Sequence, residues 1–432
     1  MKPVPRISPS TALLALALAL FAPVAPALAT DFSVSGFGTL GYARSDRAYG
    51  YQRFIDDRGT VRRDSVAGLQ ADARFAEGFG ATVQVKTAAR SDSDTGYEGS
   101  IAWAFVSYRP SNDWLFRAGK QRIPFYLFSE NYDVGATYDF ARLPTEMYSI
   151  SPSNDFVGGS LSKVWRAAGG EFTFDFFAGR SQTDYRGWLR EPVNAADPNA
   201  IFGDLKIRGG GLALAHKTEE RTLRVALLRV RVQADRPFPR TYPFVEIAPG
   251  LGYYQVDPAL PGPGVPLNSY VVDSVLTLGS DWALKHDIRL VAEFARVVVP
   301  RDDLAPKGNR GYVALLKRSG SWTPYASYAF LRSPARQRTL YASVNDIALP
   351  PTVPGAAEIN AAQRAGADQL LVYDQSTWAV GTSYATTATT RIKAEFARTR
   401  IGDVSSMVDA LPGTTVHRAT INVLSLSYSV VF

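Results

Sequence analysis

The stretch Asn422-Val-Leu-Ser-Leu-Ser-Tyr-Ser-Val-Val-Phe432 alternates without a break. Leu424, Leu426, Tyr428, Val430 and Phe432 fall on one face of a strand, and Ser425, Ser427 and Ser429 fall on the other, because successive strand side chains point to opposite sides. A soluble chain rarely stops on an aromatic residue inside an unbroken strand, since chain ends fray in water. A strand that closes a barrel in lipid has reason to run to its last residue, because an unpaired edge there is prohibitive. Tyr428 and the terminal Phe432 are therefore read as a signal for membrane insertion and assembly.

The other end agrees. Lys2 and Arg6 precede an apolar run from Ala12 to Ala22, and Ala27-Leu28-Ala29 is a small-residue cleavage site. This is the pattern of a secretory signal peptide over 1–29, too short for a membrane anchor, and it leaves one domain over 30–432. No later run is long and apolar enough for a spanning helix. The chain has no cysteine, which removes disulfides, thiolate chemistry and cysteine-bound metals. The net charge is +7, yet no Lys/Arg run marks a nucleic-acid surface. Tyrosines number 21 and phenylalanines 23 among frequent Gly, Asp and Asn, a mixture suited to many strands and turns.

Sixteen strand-like segments can be placed, at 31–44, 63–75, 80–90, 99–109, 113–121, 156–166, 170–181, 203–217, 220–233, 268–280, 285–299, 309–319, 322–332, 372–386, 389–400 and 418–432. The spacers alternate short and long; Thr218–Glu219 and Thr387–Ala388 are short, while 122–155, 234–267 and 333–371 are long. An outer-membrane barrel sorts its connections this way, with turns on the periplasmic side and loops outside. The expected fold is all-β, a transmembrane antiparallel up-and-down barrel of sixteen strands in the outer membrane of a Gram-negative bacterium.

The strands are two-faced. Ala67, Leu69, Ala71 and Ala73 oppose Gln70, Asp72 and Arg74, and Ile392, Ala394 and Phe396 oppose Arg391, Lys393 and Glu395. Arg229-Val-Arg-Val-Gln233 alternates strictly. In a barrel the apolar face meets lipid and the charged face meets an aqueous lumen. Alternation thus predicts a basic lumen wall of Arg74, Lys86, Arg229, Arg231, Arg289, Arg391 and Lys393. Aromatic residues at strand ends (Tyr42, Trp103, Tyr108, Trp114, Phe172, Trp282, Trp322, Tyr325 and Trp378) suit the lipid–water boundary. Two segments resist facing: both faces of Ile101–Tyr108 are apolar, and no register of Trp114–Gln121 puts Arg117 and Lys120 on one side.

No catalytic constellation stands out. The three histidines, His216, His286 and His417, sit at strand ends or in loops, and no metal-ligand spacing or phosphate-binding glycine loop is present. Gly209-Gly-Gly211 is flanked by strand residues and reads as a close backbone approach or a bend. The expectation is no enzyme activity, no cofactor and no metal. The informative segment is the third loop, 122–155, which holds Glu130, Asp133, Asp139, Glu146 and Asp155 among many aromatics. A loop in water has little use for those rings. Folded inward, it can pack them on the inner wall and hold its carboxylates across the channel, where charged groups set selectivity.

Phe32-Ser-Val-Ser-Gly-Phe-Gly-Thr-Leu-Gly41 resembles the opening strand of the Gram-negative general porins. Ala104-Phe-Val-Ser-Tyr108, followed by a turn and Arg117-Ala-Gly-Lys-Gln121, resembles their fourth and fifth strands, and Thr323-Pro-Tyr-Ala-Ser-Tyr328 and the terminal Phe432 also match. The resemblance implies a sixteen-stranded barrel, usually a homotrimer, whose acidic third loop narrows the pore against a wall of arginines and lysines. By position it adds Lys120 to that wall and puts Glu130, Asp133, Asp139 and Glu146 in the corresponding loop. The expected function is a passive, water-filled channel whose partners are outer-membrane lipid and small hydrophilic solutes. The alternatives are a channel specific for an organic acid, phosphate or sugar, an outer-membrane enzyme, and a plugged structural barrel. Long loops at 234–267 and 333–371, able to fold over the mouth, suit the first of these.

Overall fold

The computed structural model describes residues 31–149, 153–191 and 198–432. The expected signal peptide lies outside the described residues. Sixteen antiparallel strands close into one barrel, each paired with its neighbours in the chain and the first with the last. They are β1 (Asp31–Ser45), β2 (Val66–Arg74), β3 (Phe79–Ala89), β4 (Tyr97–Ser111), β5 (Trp114–Arg122), β6 (Asp155–Ala167), β7 (Gly170–Trp188), β8 (Ala200–Lys217), β9 (Arg221–Ala234), β10 (Val271–Ala283), β11 (Ile288–Val298), β12 (Gly308–Lys317), β13 (Trp322–Arg332), β14 (Tyr373–Ala385), β15 (Thr390–Ser405) and β16 (Thr420–Val431). Each expected segment is one of these strands. The largest boundary difference is β7, which runs on to Trp188. Its extension is pinned by contacts with distant loops: Arg186 pairs with Asp94 and Asp409, and Trp188 Nε1 donates to the Ala410 carbonyl at 2.9 Å.

The last strand has the inversion its sequence implied. Leu424, Leu426 and Tyr428 are 47–49% exposed on the outer face, while Ser425, Ser427 and Ser429 are at most 6% exposed inside. Closure runs from Phe37↔Val431 to Ser45↔Val423, and Gly36 and Phe432 exchange backbone hydrogen bonds of 2.8 and 3.0 Å. A Cβ on Gly36 would sit 2.3 Å from the Phe432 ring, so the seam needs the missing side chain. The short turns collect at one end, ringed by stacked aromatics: Phe79 on Tyr108, Trp165 on Phe172 and Trp322 on Tyr384, at 4.6–5.4 Å between centroids. Tyr325 and Trp103 do not belong to this girdle. Tyr325 is buried inside the barrel, and Trp103 pairs with the inward Gln84.

The two segments that resisted facing have local explanations. In β4 the register slips between Gln84↔Trp103 and Val85↔Ile101, leaving Ala102 as an extra residue. A bulge of this kind switches the face of everything beyond it. In β5, Arg117 points inward, with its guanidinium 5.4 Å from the Phe105 ring, and Gly119, at φ 133°, breaks the alternation just before Lys120, which is half-buried near Asp155, Lys86 and Arg122. The glycine triplet belongs to a longer feature. Gly119, Gly158, Gly179 and Gly209 pair in one row across β5–β8, and a Cβ on any of them would lie 2.1–2.4 Å from a neighbouring carbonyl. That row bends the wall too tightly for side chains.

Loops fill much of the wide end. Tyr51 and Ile55 of the first loop (46–65) are buried against Ala379, Ala397, Ile401, Ile421 and Val423. The third loop (123–154) carries a short α-helical turn, α1 (Thr145–Tyr148), and a 3-10 turn at Gly135–Thr137. The seventh loop (333–372) carries two helices, α2 (Ala335–Asp346) and α3 (Ala356–Asp368), which the sequence pattern did not reveal. Val344, Ala367 and Leu370 of that loop pack with Tyr242, Val256 and Val265 of the fifth (235–270), forming a cap over the mouth.

The outer face makes a direct demand on mutation. Leu426→Arg places a cation in the middle of the apolar band, and barrel stability measured by denaturant titration in lipid vesicles is expected to fall by about 2–4 kcal/mol. Unchanged stability would contradict the assignment of that face to lipid.

Candidate functional site

The third loop crosses the lumen, and its sequence explains how. Its neck is closed by Ile123 N–H donating to the Asn154 carbonyl at 2.9 Å. Beyond the neck, Phe125, Tyr126, Phe128, Phe140, Leu143, Met147 and Tyr148 pack onto an inner wall of small residues, Ala213, Ala226, Ala295, Ala314 and Ala329. Small inward side chains leave the depth that the rings occupy. The Phe140 ring stands edge-on to Tyr325 at 5.2 Å and to Phe128 at 6.2 Å, the favoured geometry for aromatic pairs. At the tip, Gly135 approaches Thr39 and Ser429 so closely that a Cβ would lie 2.6 Å from either hydroxyl.

Polar groups of the wall reach the loop at fixed points. Glu293 of β11 accepts from Leu127 N–H and from the Tyr312 hydroxyl, both at 2.9 Å, and from Tyr148. Tyr325 donates to Glu395 at 2.8 Å and accepts from Ala141 N–H at 2.9 Å. Arg224 donates to the Pro124 carbonyl at 2.5 Å, and Arg310 to the Tyr126 hydroxyl at 2.9 Å. Between the third loop and the first, Arg142 grips Asp64 through two guanidinium nitrogens, at 2.8 and 2.5 Å. Every such bond satisfies a group that would otherwise be buried without a partner, at a cost of about 1–3 kcal/mol.

The four loop carboxylates singled out from the sequence have unequal surroundings. Asp133 is clamped between Lys86 at 2.8 Å and Arg122 at 2.6 Å. Burial alone would raise its pKa, but those two cations outweigh it and hold the carboxyl down at about 2. Asp139 accepts from Arg391 at 2.9 Å and lies 4.0 Å from Arg289. Glu146 is buried at 1% exposure and accepts from Gln375 at 2.7 Å and Thr377 at 2.5 Å. Glu130 alone among the four stays open, 66% exposed and 3.9 Å from Arg117. Asp155, at the start of β6, meets Arg122 Nε at 3.2 Å.

The basic wall divides in the same way. Lys86, Arg289, Arg391 and Lys393 meet the loop; Lys393 is sealed under it, donating to the Gly135 and Phe140 carbonyls at 2.5 and 2.9 Å. Two expected wall residues do not line the lumen. Arg229 and Arg231 are exposed outside, because Val230 and Val232 turn inward and pack with Val271, Val299 and Ala305. Lys120 is half-buried near Asp155, Lys86 and Arg122, at the neck of the third loop. Arg74 sits at the short-turn rim, 3.4 Å from Asp31 and far from the loop's contacts. In β9 the alternation has the opposite sign from that expected, because the loop-filled lumen is there the apolar side and draws valine inward. Arg117, Arg122, Arg142, Arg224 and Arg310 were not anticipated. Arg224 shares its strand parity with Ala226, and that small residue was the available clue to the packed inner face.

The histidines are dispersed: His216 stacks 4.4 Å from Phe172 at the short-turn end, His286 is in a turn and His417 is in the last loop. Among the described residues no group of three His, Cys, Asp or Glu could hold a metal ion.

No protein-family model and no curated protein matches the chain. Solved structures do. Outer-membrane-expressed OmpT of Vibrio cholerae matches over 93% of this chain and 98% of its own, with 14% identity and a TM-score of 0.50. The fold is the porin fold. OprB of Pseudomonas putida also matches, over 94% of this chain and 95% of its own, at 10% identity and a TM-score of 0.50. Identities this low establish architecture and leave function to the site.

The Asp133 clamp fixes a pH dependence. A carboxyl with a lowered pKa contributes its stabilisation fully above the unfolded value near 3.9 and loses it as pH falls through the folded value. The loop is thus expected to stay docked through about pH 3 and to loosen near pH 2, read as a loss of near-ultraviolet circular dichroism from its tyrosine and phenylalanine cluster. Undocking at pH 5 would mean the clamp does not hold the loop.

Proposed function

We propose that this chain is an outer-membrane porin, secreted through a cleaved signal peptide and assembled as a homotrimer, that lets small hydrophilic solutes and ions diffuse passively. It performs no covalent chemistry and uses no cofactor. The observation that carries this reading is a loop strapped across the interior of a closed sixteen-stranded barrel whose outer face is apolar. Such a strap narrows the passage without sealing off the strand wall. The field that solutes meet is set by the groups the strap leaves open. Asp133, Asp139 and Glu146 are consumed by wall contacts and act as anchors; Glu130 and Arg117 remain at the passage. Selectivity therefore rests on fewer charges than the loop's composition implies.

Single-channel recording in planar bilayers under a salt gradient tests this. Stepwise conductance is expected, and closure in three steps would support a trimer. Glu130→Lys is expected to shift the reversal potential toward anion preference, while Arg229→Glu with Arg231→Glu is expected to leave it unchanged because both point outward. A silent bilayer would sink the channel reading, and the opposite pattern of shifts would sink the assignment of charges.

One observation favours a second reading, a channel selective for particular solutes. The cap of the fifth and seventh loops roofs a cavity of about 510 Å³ lined by Val230, Val232, Val271, Asp273, Arg310 and Tyr373 and floored by Phe125 and Tyr126. Replacing 335–368 with a short Gly/Ser linker is expected to raise conductance and, under this second reading, to abolish saturation of flux by a preferred solute. Equal conductance would remove the cap from the permeation path.

A further inference from the structure

The arginines absent from the lumen stand on the outside in an ordered row. Arg180 on β7 pairs directly with Arg208 on β8, and Arg208 with Arg231 on β9. All three are exposed, as is Arg229 two residues along. They share the outer face with Phe176, Leu212 and Leu227. No described carboxylate forms an ion pair with any of the four; Arg231 instead lies over the Tyr270 ring, 3.6 Å from its centroid. Like charges directly opposite on neighbouring strands repel. A row of three on adjacent strands is unfavourable unless something negative lies against it.

Height identifies what that is. Arg180 is ten residues from the short-turn end of its strand (Gly170), Arg208 is nine from Lys217 and Arg231 is ten from Arg221. With about 3.3 Å per residue and strands tilted by about 40°, that is about 25 Å above the turns. The apolar band of an outer-membrane barrel is also about 25 Å tall. The row therefore stands at the far edge of the band, level with the headgroups of the outer leaflet, where a cation on the outer face no longer carries the cost it would have at mid-bilayer. Below it the same face continues through Phe176, Leu212 and Leu227, a surface for acyl chains. The spacing recurs across the barrel at Arg400, which is ten residues from Thr390 and exposed.

We infer that Arg180, Arg208 and Arg231, with Arg229, form a binding site for the phosphate groups of a phosphorylated outer-leaflet lipid. Guanidinium forks match phosphate oxygens bidentately, and a bound phosphate turns the mutual repulsion of the row into attraction. The apolar face beneath selects a lipid over free phosphate by giving its chains a place to lie. The inference rests on the outer-membrane reading above.

The test uses the full barrel purified in detergent and native mass spectrometry with bisphosphorylated lipid A, its dephosphorylated counterpart and inorganic phosphate. Wild type is expected to retain the phosphorylated lipid, to ignore the dephosphorylated one and to keep its lipid in the presence of inorganic phosphate. R180Q/R208Q/R231Q is expected to bind roughly a hundredfold more weakly, from about 1 kcal/mol for each basic residue near an anionic surface. The triple lysine variant should recover part of the binding, which guards against misfolding of the glutamine protein. Single-channel conductance of both variants should match wild type, so a failure of this site is distinguishable from a failure of the channel reading. Equal lipid retention by the glutamine variant, equal binding of the dephosphorylated lipid, or displacement by inorganic phosphate would each overturn the site. Dissociation of the oligomer in the glutamine variant would overturn it too, by showing that the row belongs to a subunit contact.

Discussion

Sixteen strands closed into a ring enclose more space than their own inward side chains can fill. The rest of this structure answers that constraint. The third loop occupies the middle of the space, the first loop takes up part of its wide end, and the fifth and seventh loops roof it. Filling the interior with loops changes the character of the inner wall. Where rings pack, the wall is apolar and largely small, as at Ala226, Ala295 and Ala314, with Tyr312 and Tyr325 meeting the Phe140 ring edge-on; where a backbone turn or a carboxylate approaches, the wall donates or accepts. The interior becomes a second protein core, and only the parts the loops leave bare keep the character of a channel.

That double character decides what could be read in advance. The strand count, the sorting of short and long connections and the inward third loop were legible because they depend on local alternation, turn spacing and an excess of aromatics in one segment. The sign of the alternation was legible wherever the inner face meets water or a polar partner, as at Arg289 and Arg391. It failed in β9, where Val230 and Val232 face a packed interior and Arg229 and Arg231 face out. Within one strand, valine next to arginine looks the same in both cases. Only knowledge of what lies across the lumen separates them. The helices α2 and α3 escaped notice because neither begins with a side-chain cap, Pro334 and Gly355 standing where Ser or Asp would announce a start.

The loop's carboxylates show the same logic in energetic terms. A carboxylate buried without a partner would be driven to its neutral form, so each that enters the packed region brings a cation or a set of donors with it. Asp133 with Lys86 and Arg122, and Asp139 with Arg391, hold a precise position for the strap but project little field into the opening. A count of charges in the loop therefore overstates its electrostatic reach. Accessibility separates the three anchored carboxylates from Glu130, which stays open.

The seam between the first and last strands has a consequence for how such a molecule comes into being. Thr39 meets Ser429 at 2.9 Å across a separation of 390 residues, so the closing hydrogen-bonded ladder joins strands far apart along the polypeptide. Until that seam zips, two strand edges lie bare, and a hydrocarbon environment does not tolerate them. Entry into the bilayer and completion of the cylinder are consequently a single concerted event. The nascent polypeptide must reach its membrane with its edges shielded and its sheet unmade, and slow, long-range pairing of this kind sets the pace of its biogenesis.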